Sequence, residues 1–517
     1  VQIVNNEKLV VNTRFPTRIT DAIKTSKPIG KSDDITAVEV EWGLHEAISL
    51  RRLNIKNVPS PILKDYDWPG LYPPMSHQKD TASFLSVNSR AFCFNEQGTG
   101  KTASAIWASD YLLTQGVISR VLIICPLSIM QSAWQADLFK FAVHRTVNIA
   151  HGTRAKRISA VKSQAEYLII NFDGIETIKE DLKNGAFDLV IVDEANAYKN
   201  HRTKRFKALQ SLVSHKTWIW MMTGTPAAQS PVDAYGLAKM CVPDRCPVIF
   251  GAFRDSVMYQ LTRFKWIPKP SSEAVVHKLL QPAIRFTKEE CLDLPDMTYV
   301  SRYAPLSSQQ TKYYKDLKKN MLIEAAGEEV SAANAASNIT KLLQIACGAV
   351  YTDSKNVVEF DASERLNAVL EVIEETSHKV LIFVPFTHTL QLLKTFLDKH
   401  KISAEIIDGS VTVNKRTETF KQFQEATDPK VLLIQPQAAA HGVTLTAANV
   451  VIWYAPVTSI ESYLQANARA HRKGQKNPVT VVHIEGSPIE SKLYSMLQSK
   501  LNVHTKIIDL YKNEINT

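Results

Sequence analysis

The chain has 517 residues, 45% of them hydrophobic and 22% charged, with a formal net charge of +10. That length suits about three domains of ~150 residues, and the composition excludes wholesale disorder. The positive balance favours polyanionic partners. The six cysteines form no C-x-x-C pair and no zinc-type cluster, which fits a reducing, intracellular setting, and no run approaches the ~18 apolar residues of a membrane span.

Residues 1–70 carry no decisive pattern and read either as an accessory domain or as packing extensions. They lead into the turn-rich stretch Trp68, Pro69, Gly70, Leu71, Tyr72, Pro73, Pro74. Apolar runs at 91–94, 121–125, 167–171, 188–193 and 217–223 then alternate with helical patterns such as 102–114 and 128–141, as in a parallel sheet covered by helices. Trp218 and Trp220 alternate across the last run and read as core, not as a base-stacking platform. Residues 228–358 break the alternation and read as a helical insertion and linker. Strand patterns resume at 380–384, 404–408, 431–435, 450–454 and 479–484. The expected fold is therefore α/β, with lobes at 71–227 and 359–517.

Gly98, Thr99, Gly100, Lys101 and Thr102 follow the first apolar run and open a helix, the context that a phosphate loop requires. Glycines let backbone N–H groups curl around phosphate oxygens, and the helix N-terminus adds partial positive charge. Lys101 would reach the β and γ phosphates of ATP and Thr102 would hold Mg2+. Asn95 stands at the first position of the motif, where glycine is usual. A later apolar run ends in Asp193 and Glu194, placing two carboxylates where an α/β sheet carries its chemistry. Asp193 can hold Mg2+ and Glu194 can orient and deprotonate the attacking water.

Lys101 with Thr102, then Asp193 to Asn196, then Thr223, Gly224, Thr225 and Pro226 resemble, in that order, the first lobe of a superfamily 2 helicase. The stretch from Tyr463 to Gln475 resembles the arginine motif of Swi/Snf-type DNA translocases, and the likeness spans about residues 72–490. The resemblance implies two tandem RecA-like (P-loop NTPase) lobes, a helical inter-lobe insertion and a small N-terminal region. It implies that Gln78 and Gln465 contact the nucleotide and that Arg469 and Arg472, on one helix face, stabilise the transferring phosphoryl group. Thr223, Gly224 and Thr225 would couple nucleotide state to the track, and Pro126, Asn171, Gly409, Ser410, Gly442 and Thr444 would contact nucleic acid backbone. Departures from the family pattern are Asn196 in place of the usual His, Asn95 where Asp is frequent, and Ala468 for a common Gly.

Basic clusters at 154–157, 199–207 and 469–476 suit sequence-independent phosphate binding, the middle one equally a solvated face. The function expected is a DNA-dependent ATPase that translocates on double-stranded DNA, remodelling forks or branches or displacing bound proteins. A strand-separating DNA or RNA helicase and a non-catalytic, ATP-switched nucleic-acid clamp remain as alternatives. The compact arrangement resembles bacterial or viral members, so a cytoplasmic setting is favoured over a nuclear one. No membrane partner is expected, and protein partners are open.

Overall fold

The computed structural model describes residues 1–499 apart from 33, 228–229, 263–265, 292–293, 328–331, 352–356 and 440–442. The chain divides into two compact units, one of residues 1–227 and 231–291 and the other essentially of residues from 292 onward. No helix among the described residues is long and apolar enough to cross a membrane.

The first unit is organised by a seven-stranded sheet in the order Ala283–Ile284, Arg90–Cys93, Trp218–Met222, Leu189–Asp193, Val121–Cys125, Tyr167–Asn171, Val147–Ala150. Every neighbouring pair is parallel. The central strands are continuous apolar runs because both sheet faces are covered. Alternate side chains serve two cores: Ala91, Ile123, Ile191 and Trp220 point to one face, and Phe92, Ile124, Val192 and Met221 to the other. Both tryptophans of the strand Trp218–Met222 are core residues, as their alternation implies.

Residues 1–41 build a separate four-stranded antiparallel sheet in the order Gln2–Val4, Lys8–Thr13, Ile35–Glu41, Lys27–Ser32. Its inward residues Leu9, Val11, Val38 and Val40 join Leu85, Ile106 and Trp107 in the first core. The N-terminal segment is thus packed into the first unit while carrying a sheet of its own.

The segment 228–358, read from the sequence as an insertion and linker, is shared between the units. Helices Ala234–Cys241, Phe250–Val257 and Ser272–Leu279 send Tyr235, Leu237, Phe253, Val257 and Leu279 into the second face of the first sheet. The strand Met297–Tyr303 instead pairs with Val479–Glu485, and Tyr314, Ile339 and Leu342 lie in a core of the second unit.

The second unit holds a six-stranded sheet in the order Met297–Tyr303, Val479–Glu485, Ala448–Trp453, Lys379–Phe383, Val431–Ile434, Ala404–Ile407, again parallel throughout. At the C-terminal ends of its strands, buried Arg365 donates to both carboxylate oxygens of buried Glu490 at 2.7 and 2.8 Å and to the Tyr454 carbonyl. Burial works to lower the guanidinium's proton affinity, yet Glu490 carries it above its ordinary value. Glu490 in turn accepts from the Gly486 and Ser487 amides at 2.9 and 3.0 Å, capping the helix Pro488–Gln498.

Candidate functional site

Because the first sheet is wholly parallel, its strands finish along one edge, and the candidate residues finish with them. Register pairs Met222 with both Cys93 and Asp193, Ile124 with Val192, and Cys125 with Asn171. The loop after Cys93, the acidic pair, Thr223, Pro126 and Asn171 therefore form a row at the end where α/β sheets bind ligands.

The loop 95–100 turns through two left-handed glycines, Gly98 at φ +88° and Gly100 at φ +84°, before the helix Lys101–Thr114 begins. The left-handed φ of Gly100 favours glycine, and an added Cβ there would also displace Gln78 Nε2, 2.0 Å away. Gln78 Nε2 and the His77 ring reach the Thr99 carbonyl at 3.3 and 2.8 Å, and Gln78 Oε1 accepts from the Met75 amide. Lys101 Nζ donates to the Asn95 and Glu96 carbonyls at 2.8 and 3.3 Å. Thr102 follows in the first helical turn, half-buried.

Asn95, the departure from glycine in the motif, is almost fully buried and bridges two elements. Its Nδ2 donates to Thr81 Oγ1 at 2.8 Å, and its Oδ1 accepts from the Phe286 amide at 3.0 Å.

Asp193 is buried, and burial is the main influence that raises its carboxyl above the ordinary range, opposed by the nearby Lys101 charge and by a hydrogen bond from Trp134. Trp134 Nε1 donates to Oδ2 at 2.9 Å, and the Glu194 amide donates to Oδ1 at 3.0 Å. Burial likewise pushes the neighbouring Cys93 thiol up to about 11. Glu194 sits at φ +50°, a conformation that costs a non-glycine residue on the order of 1 kcal/mol or more and that recurs at functional sites. Gln97 Nε2 reaches Glu194 Oε1 at 3.5 Å.

Asn196, standing where the family pattern has His, donates from Nδ2 to the Thr225 carbonyl at 2.7 Å and to Thr225 Oγ1 at 3.2 Å. The Thr225 amide donates to Thr223 Oγ1, while an added Cβ on Gly224 would lie 3.7 Å from the Asn95 carbonyl. The acidic pair, the segment 223–225 and the phosphate loop are therefore in direct contact within one unit.

Farther along the edge, Pro126 is buried and followed by exposed Leu127. Asn171 is largely buried, its Oδ1 accepting from Arg157 Nη1 at 2.9 Å, which leaves the amide NH2 to face other partners. In the basic run 199–207, Lys199 and Arg205 pair with Asp233 and Asp173, whereas Arg202, Lys204 and Lys207 are exposed.

In the second unit, Arg469 and Arg472 converge on one acceptor, the Val443 carbonyl, at 3.4 and 3.0 Å. Gln465, on the preceding helix Ile460–Asn467, is buried with Nε2 3.4 Å from Glu461 Oε1. Thr444 is exposed immediately after Val443, as are Gly409 and Ser410 after the strand Ala404–Ile407. Ser410 donates its amide and hydroxyl to Asp408 Oδ1 at 2.9 and 2.6 Å, and the hydroxyl bond is the main influence holding that carboxyl below its ordinary range. Gly442 lies outside the described residues.

Sequence reasoning missed Trp134, the bond from Arg157 to Asn171 and the bridging by Asn95. Trp134 is remote in sequence from Asp193 and no spacing joins them. The one available signal was chemical: a buried indole N–H needs an acceptor. Among the described residues no cluster of three or more His, Cys, Asp or Glu side chains is placed to hold a metal.

Two tandem parallel α/β lobes, the first with a glycine loop and an acidic pair on its C-terminal edge, are the RecA-like architecture of P-loop nucleotide-binding proteins. More specifically, the chain belongs to the SNF2-related domain family, whose model matches residues 77–349, more than half its length. The helicase conserved C-terminal domain matches residues 364–474. Among curated proteins it is similar to the chromodomain-helicase-DNA-binding protein 1-like of Mus musculus, 28% identical over 80% of this chain and 47% of that protein. An uncharacterized ATP-dependent helicase of Mycoplasma genitalium is also 28% identical, over 75% of this chain and 37% of that one. The chain thus spans less than half the length of either relative. Among solved structures, the Sulfolobus solfataricus SWI2/SNF2 ATPase core in complex with dsDNA aligns at 21% identity and TM-score 0.42, covering 87% of this chain and 95% of that one.

Proposed function

We propose that the chain is a DNA-dependent ATPase that uses hydrolysis to translocate along double-stranded DNA. The observation that carries this reading is the Asn196 to Thr225 bridge, which joins the acidic pair to the segment 223–225 on the same sheet edge as Pro126 and Asn171. Hydrolytic and backbone-gripping groups are then parts of one rigid row. The names of the relatives, DNA-binding and ATP-dependent helicases, support the same reading.

In this reading the amides of 98–101 cradle the phosphates of ATP and Lys101 leaves the Asn95 and Glu96 carbonyls for the β and γ oxygens. Glu194 orients the attacking water and accepts its proton. Thr102 and Asp193 are the residues that would hold Mg2+. The pair suffices, since this ion commonly takes one or two protein oxygens beside phosphates and waters, and bound there it would neutralise charge on the phosphates. Arg469 and Arg472 stabilise the charge of the transferring phosphoryl group, Gln78 and Gln465 contact the nucleotide, and Gly409, Ser410, Gly442 and Thr444 grip backbone. Peptide amides and small hydroxyls suit repeated grip and release, because each phosphate contact is individually weak and reads no sequence.

ATP turnover measured with duplex DNA, single strands, forks and RNA tests the proposal. Strongest stimulation by duplex is expected. Absence of stimulation by duplex refutes it, and preference for single strands or RNA replaces translocation on duplex by strand separation or RNA work. Retained DNA binding with no turnover at all identifies an ATP-switched clamp.

A further inference from the structure

The pattern at 128–141 reads as one helix, but the chain forms three pieces there. A 3-10 turn, Leu127–Ile129, leads into a π-helical segment, Met130–Gln135, and only then into the α-helix Ala136–Phe141. A π-turn adds a residue to the helical ladder, and such bulges concentrate at functional sites. One added residue swings the later side chains by ~100° about the axis. Trp134 falls within the π-helical segment, and its side chain enters the first core.

Trp134 is completely buried in the first core, to which Cys125, Ile169 and Ile191 also belong. Its indole is a donor only, and its N–H is spent on Asp193 Oδ2 at 2.9 Å. With the Glu194 amide on Oδ1, each oxygen of the Asp193 carboxylate has one fixed donor, one from its own backbone and one from the segment that begins at Pro126.

We infer that Trp134 is a positioning residue through which contact with the DNA backbone at 126–128 sets the orientation of the Asp193 carboxylate. The path is short and stiff. Trp134 lies eight positions after Pro126, its side chain is fully buried, and a displacement of the segment is handed to Asp193 by a direct hydrogen bond. Leu127 stands 47% exposed at the outer end of this path, and the buried indole forms its inner end. The inference rests on the DNA-dependent ATPase reading and supplies one physical route for the DNA dependence.

Two replacements at position 134 isolate the bond: Trp134→Phe, and benzothienylalanine, which keeps the bicyclic shape and replaces the N–H by sulfur. The full chain is titrated with a 40-base-pair duplex, with and without Mg2+ and a non-hydrolysable ATP analogue. ATP turnover is then measured with and without saturating duplex. In the unaltered protein the analogue is expected to shift duplex affinity by ~5-fold or more, in the usual range for coupled sites. In both variants that ratio should collapse towards one, while duplex affinity without nucleotide stays within about 2-fold. DNA-stimulated kcat should fall by ~10- to 100-fold, as for other partners that orient metal ligands. An unchanged ratio in the benzothienylalanine protein overturns the inference even where Trp134→Phe unfolds. Equal proportional loss of DNA-free and DNA-stimulated turnover overturns it too, since that is what a merely structural role gives. If the unaltered protein shows no stimulation by duplex, the functional reading itself has failed.

Discussion

The two parallel sheets use their C-terminal edges differently. In the first unit the charged groups at the edge are held at a cost. Asp193 is a buried carboxyl raised by desolvation, Glu194 sits in the left-handed region, and Lys101 leans on two backbone carbonyls. In the second unit that edge carries an ionic pair, Arg365 with Glu490, sealed just beyond the strand ends at Tyr454 and Gly486, while Arg469 and Arg472 share the Val443 carbonyl. Strain near the surface suits chemistry, because it is released when charge is redistributed. A sealed ion pair suits architecture, because removing one partner leaves the other uncompensated.

The contrast can be broken first at Glu194. Glu194→Gln should lower ATP turnover by ~10²- to 10⁴-fold, the usual worth of a general base, while a fluorescent ATP analogue still binds. Retained turnover would move the base elsewhere.

Arg365→Ala attacks the other side of the comparison. It should destabilise the second unit by ~3 to 5 kcal/mol, seen as an earlier urea transition, with the first unit's transition little changed.

Next in size is an acid effect confined to the second unit. His483 is completely buried, bonded to the Tyr463 hydroxyl at 2.9 Å, and burial lowers its pKa from 6.5 to about 4. The unfolded chain therefore takes up a proton near pH 6.5 that the folded unit refuses until about pH 4. Stability from this group is intact above pH 6.5 and falls by up to about 3 kcal/mol as pH drops to 4. Urea midpoints across that window should show the slope, and His483→Phe should flatten it.

The smallest expected effect sharpens the first unit's own wiring. Asn196→Ala cuts the bridge to Thr225, and DNA-stimulated turnover should drop ~10-fold while nucleotide affinity changes less than ~3-fold. An equal loss in both would make Asn196 part of the nucleotide pocket.

Much of the fold was legible because buried parallel strands are uninterrupted apolar runs. Residues 121–125, 167–171 and 431–435 read directly as strands, the last ending one residue earlier in the structure, at Ile434. Strands that break this rule escaped notice. Ala283–Ile284 has two residues, Val147–Ala150 is a half-buried edge, and Met297–Tyr303 is mostly exposed and carries Thr, Ser and Arg. The period-two pattern of Leu9 with Val11 and Val38 with Val40 was there to be read, and it is the core face of the N-terminal sheet. In the candidate site, glycines, lysine and carboxylates announce themselves by spacing. The groups that hold them, such as Trp134 on Asp193 and Arg157 on Asn171, are joined only by folding.

From the short strand Ala283–Ile284 the chain runs on towards the second unit stitched to the phosphate loop itself. The Phe94 amide donates to Ile284, the Glu96 amide to Phe286, the Phe286 amide to the Asn95 side chain, and the Lys288 amide to Glu96. The residue that departs from the motif, Asn95, thus fastens the phosphate loop to the segment 284–288 within the first unit.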